Sequence, residues 1–190
     1  MLILASASPR RARILSDLGV PFRVVVSAAD ETLVPGESGE AAVVRLARAK
    51  ARAVATAESL PVLAADTEVL CDGDILGKPE SVEAAARMLR RLAGRGHEVV
   101  TGVCLLHEGV ERVGLERTSV TFAPMSEAEC AWYAATGEPL DKAGGYHIDG
   151  RGAFFVEKIA GSPSNVAGLP VRLVYELARQ SGLSLGPTRP

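Results

Sequence analysis

Leu2-Ile3-Leu4-Ala5-Ser6-Ala7-Ser8-Pro9-Arg10-Arg11-Ala12-Arg13-Ile14-Leu15-Ser16-Asp17-Leu18-Gly19 decides the class of fold. The short apolar run Leu2 to Leu4 reads as a buried strand. Ser8 is of the type that caps helices and Pro9 suits a first turn, so a helix is expected to open there. Ala12, Ile14, Leu15 and Leu18 give that helix an apolar face, and Gly19 ends it. A β-branched strand from Phe22 to Val26 follows. Strand, turn, helix, turn, strand is the opening of an α/β fold.

The same alternation continues outward. Ala29 to Gly39, with Asp30, Glu31 and Pro35, reads as a loop, and Glu40 to Ala57 as an Ala-rich helix that carries Lys50. Pro61 to Ala65 reads as another short buried strand, ending at Asp66-Thr67-Glu68. Val69 to Cys71 and Ile75-Leu76 flank Asp72-Gly73-Asp74, a hairpin turn. A helix is expected from Ser81 to Leu92, with Ser81 as its cap, and paired strands over His97 to His107 and Val110 to Phe122 joined around Glu108-Gly109. Ser126 with Glu129 forms a capping box for a helix to about Ala135. Thr136 to Gly152 reads as a functional loop, Ala153 to Ile159 as a strand, and Pro170 to Ser181 as the closing helix. The expected class is α/β, and residues 183–190 are expected to form a flexible tail behind a single domain over 1–182.

Composition narrows the function. The chain has 190 residues, 47% hydrophobic and 23% charged, enough for one domain or one domain with two interleaved lobes. Lys and Arg total 21 against 23 Asp and Glu. The net charge of −2 speaks against broad nucleic-acid binding but leaves room for a local cationic cluster that takes a small anion. Cys71, Cys104 and Cys130 are scattered, which reads as reduced core cysteines in a cytosolic protein. The N-terminal apolar run is too short for a signal or an anchor, and no stretch approaches the ~20 apolar residues of a membrane span. A cytoplasmic protein is therefore expected.

Several constellations point to phosphate chemistry. Ser6-Ala7-Ser8-Pro9-Arg10-Arg11 sits between a strand and a helix start, where free N–H groups, hydroxyls and paired guanidinium groups suit phosphate. Asp66 stands at the end of a buried strand, the place where open α/β sheets bind ligands, and its carboxylate can hold a cation or activate water. Glu31, on the loop after the second strand, could complete a Mg²⁺ site with it. Lys78, between Gly77 and Pro79, can reach phosphate as a point charge. In the Gly-rich segment from Thr136 to Gly152, Lys142 could meet phosphate, Tyr146 could pack against a base and Asp149 could hydrogen-bond a base edge. Each has an ordinary alternative: a capped turn, a turn aspartate, a solvated lysine, an acidic or mobile loop. Ser164-Asn165-Val166 reads as a cap for the last helix rather than a pocket wall. His97, His107 and His147 lack metal-ligand spacing, and no P-loop, dinucleotide fingerprint or nucleophile elbow occurs.

Taken together, Ala5 to Arg11, Ala65-Asp66-Thr67, Gly77-Lys78-Pro79, His97 to Val103 and the run from Ala135 to Pro170 resemble the Maf (septum formation inhibitor Maf-like) proteins, nearly end to end. The resemblance implies a mixed sheet with flanking helices and two lobes around a deep cleft, in a family whose members are often homodimers. It implies hydrolysis of nucleoside triphosphates to monophosphate and pyrophosphate with Mg²⁺, Mn²⁺ or Co²⁺. By similarity, Asp66 is the general base, Arg10, Arg11, Lys50 and Lys78 grip the triphosphate, and Glu31 helps hold the metal. Arg10 and Thr67 match the branch that prefers dTTP and UTP; Asp149 departs, since that branch usually carries Gln. The alternatives within the resemblance are an inosine- or xanthosine-triphosphate pyrophosphatase and a non-enzymatic regulator of septum formation.

Overall fold

Strand β1 (Leu2–Leu4) and helix α1 (Pro9–Asp17) stand where the opening stretch put them. The computed structural model describes residues 1–55 and 60–186. Helix α1 starts at Pro9, but the Ser8 side chain makes no capping hydrogen bond. Instead the Ser8 N–H donates to Ser6 Oγ at 3.2 Å, so the hydroxyl that organises this turn is two residues earlier than expected.

The remaining elements are β2 (Phe22–Val24), α2 (Gly39–Ala55), β3 (Val62–Cys71), β4 (Asp74–Leu76), α3 (Val82–Leu92), β5 (Gly96–His107) and β6 (Val110–Phe122). After these come α4 (Glu127–Ala135), β7 (Val156–Ala160), α5 (Pro163–Val166) and α6 (Val171–Gln180). Three short 3-10 turns lie between α4 and β7, at Glu138–Asp141, Ala143–Gly145 and Arg151–Phe155. Among the described residues the strands form one mixed seven-stranded sheet in the order β2-β1-β3-β5-β6-β7, with β4 paired to β3. Strand β1 runs parallel to β2 and β3, while β3–β4 and β6–β7 are antiparallel. The expected α/β class, a mixed sheet with flanking helices, is the observed one.

Two expected strands are one. The polar triplet Asp66-Thr67-Glu68 interrupts the apolar run, but β3 continues through it from Val62 to Cys71. Conversely, Ala153 to Phe155 belongs to a 3-10 turn, and the last strand begins only at Val156. Ala57, expected at the end of α2, and residues 187–190 of the expected tail lie outside the described residues. Both hairpin turns have left-handed residues, Asp72 (φ 52°) with Gly73 and Glu108 (φ 50°) with Gly109, as tight β-hairpins require.

The chain divides into two compact units that interleave along the sequence. The first comprises Met1–Asp66, Thr101–Glu116 and Gly168–Pro190. Its strands are apolar on both faces because helices cover both. Leu2, Leu4, Leu63, Ala65, Val103 and Leu105 pack with Leu15 of α1 and Val174 and Leu177 of α6. The alternate residues Ile3, Ala5, Val62, Ala64 and Cys104 pack with Ala47, Ala51 and Val54 of α2. Leu183 and Leu185 add to the first cluster.

The second unit comprises Thr67–Val100 and Arg117–Ala167. Its core gathers Val69, Leu89, Leu92, Val99, Val120, Phe122, Tyr133 and Phe155. Within it His97, Phe122 and Tyr146 meet edge to face, with centroids 4.9–5.3 Å apart. Helices α3 and α4 both carry their expected serine caps: Ser81 accepts from the Ala84 N–H, and Ser126 with Glu129 forms the full capping box. All three cysteines are free and buried, and burial pushes the Cys104 thiol up to about 12.

Candidate functional site

Lys50 organises the candidate site of the first unit. It lies on α2 in register with Val43, Leu46, Ala47 and Val54, which are all buried, so its stem follows the apolar face of the helix. A buried ammonium must find anions, and two carboxylates meet it. Lys50 Nζ donates to Asp66 Oδ1 at 2.6 Å and to Glu31 Oε2 at 2.7 Å. Asp66 is itself buried on β3, whereas the Glu31 side chain is about half exposed.

The loop that delivers Glu31 is tied to the same helix. Asp30 accepts from the Thr32 N–H and hydroxyl, and the hydroxyl bond is the main reason its carboxyl sits below the usual carboxylate range. Arg45 of α2 grips Glu37 through Nε and Nη2, at 2.8 and 2.7 Å, and donates to the Thr32 carbonyl at 3.2 Å. The stretch from Thr32 to Glu37, which follows Glu31, is thereby held to α2, which also carries Lys50.

Arg11 completes the group. It is buried, donates from Nε to the Gly168 carbonyl at 2.7 Å and from Nη1 to Ser6 Oγ at 3.1 Å. Burial lowers its pKa, Asp66 and Glu31 oppose that change, and Arg10 adds to it. The guanidinium nevertheless stays charged at any physiological pH. Ser6, the first residue of the Ser6 to Arg11 motif, is the buried hydroxyl that joins Arg11 to the turn before α1. Its signal was its position two residues before Ser8, on the strand side of the turn.

The first unit therefore brings together Glu31, Lys50, Asp66 and Arg11, with Arg10 and Ser8 on the adjoining turn. Thr67, Lys78, Lys142 and Asp149 belong to the second unit. Thr67 follows Asp66 directly on β3. Lys78 is exposed in the segment after β4, and Asp149 is exposed in the Gly-rich loop. Lys142 is buried, donates to the Glu138 carbonyl at 2.8 Å and pairs with Asp141, so it closes its own loop.

Two sequence expectations change here. Tyr146 is buried in the aromatic core, with its hydroxyl 2.9 Å from His97 Nε2, and is not placed to stack on a ligand. Asn165 does not cap the last helix. It sits inside the separate helix α5 and donates from Nδ2 to the Val99 carbonyl and Thr118 Oγ1, both at 3.0 Å. The proline-led turn at Pro170 opens α6 without a side-chain cap.

The donor set at Asp66 and Glu31 suits a hard divalent cation. Two carboxylate oxygens already converge on one positive centre, and Mg²⁺ commonly takes one or two protein carboxylates with phosphate oxygens and water. No group of three or more His, Cys, Asp and Glu able to hold a metal occurs among the described residues.

A family model described as Maf-like protein matches residues 1–181. The chain belongs to this family. Among Maf-like relatives, a dTTP/UTP pyrophosphatase of Salinibacter ruber (strain DSM 13855 / M31) is 52% identical over 184 residues, covering 95% of this chain and 90% of that one. A dTTP/UTP pyrophosphatase of Anaeromyxobacter sp. (strain Fw109-5) is 50% identical over 186 residues, covering 95% and 89%. In fold, this Maf-like chain resembles the Staphylococcus aureus Ham1 protein, with a TM-score of 0.53 at 17% identity over 95% of this chain and 98% of that one. No described helix is long and apolar enough to cross a membrane.

Proposed function

We propose that this Maf-like protein is a nucleoside triphosphate pyrophosphatase that converts dTTP and UTP to the monophosphate and pyrophosphate in the cytoplasm. Relatives named dTTP/UTP pyrophosphatase, at about half identity over nearly the whole chain, support the reaction. The observation that carries it is the Asp66–Lys50–Glu31 arrangement beside Arg11, in which Asp66 and Lys50 are buried. Three buried free cysteines suit a reducing compartment.

In this reading Arg10, Arg11, Lys50 and Lys78 bind the triphosphate, Arg10 and Arg11 through forked donors and the lysines as point charges. Ser8 offers a hydroxyl at the start of α1. Lys142 has a third N–H beyond the two that hold its loop, and that donor reaches toward phosphate. Asp66 takes the proton from a water that attacks the α-phosphorus in line, and pyrophosphate departs. Lys50 orients Asp66 through one carboxylate oxygen, which leaves the other for the water. A divalent cation held by Asp66 and Glu31 supplies charge neutralisation across the phosphates when bound. Thr67 and Asp149 address the base. Ionised Asp149 accepts only, so it meets the N3–H of uracil or thymine, or the amino group of cytosine.

Pyrophosphate release from dTTP, UTP, CTP, 7-methyl-GTP, ITP and the common purine triphosphates, with Mg²⁺ and with Mn²⁺, tests the activity. Release chiefly from dTTP and UTP is expected, and a purine preference would overturn the substrate assignment. Asp66→Asn should retain nucleotide binding and lose turnover by about 10²–10⁴-fold. Near wild-type turnover in that variant would rule out Asp66 as the base.

A further inference from the structure

The Gly-rich loop of the second unit is built around one carboxylate that the catalytic reading does not use. Glu138 opens the 3-10 turn after α4, and its side chain reaches across to the segment 147–152. Its Oε1 accepts from the Tyr133 hydroxyl at 2.6 Å and from the Gly152 N–H at 3.2 Å. Its Oε2 accepts from the Arg151 N–H at 3.2 Å. The same Tyr133 hydroxyl accepts from the His147 N–H at 2.9 Å. Tyr133 is fully buried on α4, so this hydroxyl is a fixed point.

Two further contacts complete the clamp. The Glu138 carbonyl is held by Lys142 Nζ at 2.8 Å, which anchors the residue from its backbone as well. The Gly150 N–H closes a turn on the His147 carbonyl at 3.2 Å. A Cβ at Gly150 would lie 2.6 Å from Glu138 Oε2 and 2.7 Å from His147 Nδ1, so those two side-chain ends fill the space beside the turn. Residues 147, 151 and 152 are pinned through backbone N–H groups, and the one exposed acidic side chain between those pins is Asp149.

We propose that Glu138, seated on Tyr133, is a positioning residue for base selection: it fixes the turn that presents Asp149. The proposal rests on the pyrophosphatase reading, in which Asp149 meets the base. Three backbone donors of the turn converge on the Glu138–Tyr133 pair, and none of them points at phosphate chemistry. Changing the pair therefore alters which base is accepted more than how fast the phosphoanhydride is cut.

Glu138→Gln keeps the length of the side chain and an acceptor for Tyr133 and Gly152, but turns an amide –NH₂ toward the Arg151 N–H. Steady-state kinetics with dTTP, UTP and CTP are measured on wild type, Glu138→Gln, Tyr133→Phe and Asp149→Asn, with circular dichroism as the fold check. The expected result is a change of about tenfold or more in the ratio of kcat/KM between nucleotides, through KM rather than kcat. Tyr133→Phe shifts the ratio in the same direction, and carries the test alone if Glu138→Gln does not fold. Glu138→Gln combined with Asp149→Asn should give no larger shift than Asp149→Asn alone. Equal losses on all nucleotides, or an unchanged ratio in folded variants of an active enzyme, overturn the proposal while leaving the activity standing. No pyrophosphate release by the wild type overturns the activity itself, and the proposal with it.

Discussion

Lys50 is held in place by charge at one end and by apolar packing along its stem. Its ammonium lies between Asp66 and Glu31, and removal of one member of a buried ion pair leaves its partner uncompensated. Lys50→Met is therefore expected to destabilise the protein by roughly 3–5 kcal/mol, because Met fills the apolar channel but offers Asp66 nothing. Asp66→Asn in the Lys50→Met background should recover part of that cost, since a neutral amide is cheaper to leave unpaired. Urea unfolding of the two single variants and the double variant gives the coupling; strictly additive costs would mean that the pair contributes nothing beyond its separate members. The sequence showed Lys50 on a helix and Asp66 at a strand end, but not that they touch. Sixteen residues and two element types separate them, and only the family resemblance joined them. The part Ser6 plays inside its motif is hidden for a related reason: a serine that accepts from a side chain and a backbone N–H looks, in sequence, like any serine near a turn.

Helix α2 lies hard against β5 at one point. A Cβ on Gly102 would press on the Val43 carbonyl, its carbon at 2.5 Å, and lie 2.7 Å from the Val44 nitrogen. Those are backbone atoms of a helix and cannot rotate aside as a side chain would. Gly102→Ala should lower the urea midpoint by the equivalent of roughly 1–3 kcal/mol or more through overpacking. Gly77→Ala, where an added Cβ meets nothing within 4 Å, is the matched control and should cost little. Equal midpoints for the two variants would show that α2 moves off the strand freely. Elements such as these were legible where their determinants are local. The Ser126–Glu129 capping box, the Ser81 cap and the Asp72-Gly73 and Glu108-Gly109 turns are each decided within a few residues, and each forms as read. Strand β3 was read as two pieces because Asp66-Thr67-Glu68 breaks its hydrophobic pattern. Pairing in the sheet carries the backbone through the polar triplet. Glu138 was invisible as a clamp because its partners at 151 and 152 lie 13 and 14 residues on, and donate from the backbone, which carries no residue signature.

For the molecule as a whole, acid sensitivity has an identifiable source in the core. His97 is buried, packs edge to face on Phe122 and Tyr146, and burial lowers its pKa from 6.5 to about 4. The folded state thus resists a proton that the unfolded chain accepts. A depressed folded pKa means that the contribution is fully present above the unfolded value of 6.5 and is lost as pH falls toward 4. Across that window the unfolded state binds the extra proton, so stability falls by up to about 1.4 kcal/mol per pH unit. At pH 5 the loss from this one group is about 2 kcal/mol relative to pH 7. Carboxylates held below their usual range, such as Glu138, act in the same direction but at lower pH. For Glu138, burial opposes ionisation, yet the hydrogen bonds from Tyr133, Arg151 and Gly152 outweigh it. The two sources separate by variant. His97→Gln removes the titrating group, so its unfolding free energy should be flatter between pH 7 and pH 5 than that of wild type, whatever the substitution costs at pH 7. Unfolding in urea at the two pH values measures both slopes. Equal slopes would show that His97 takes up a proton in the folded protein as readily as in the unfolded chain, which would require the aromatic core of the second unit to open to water well above pH 4.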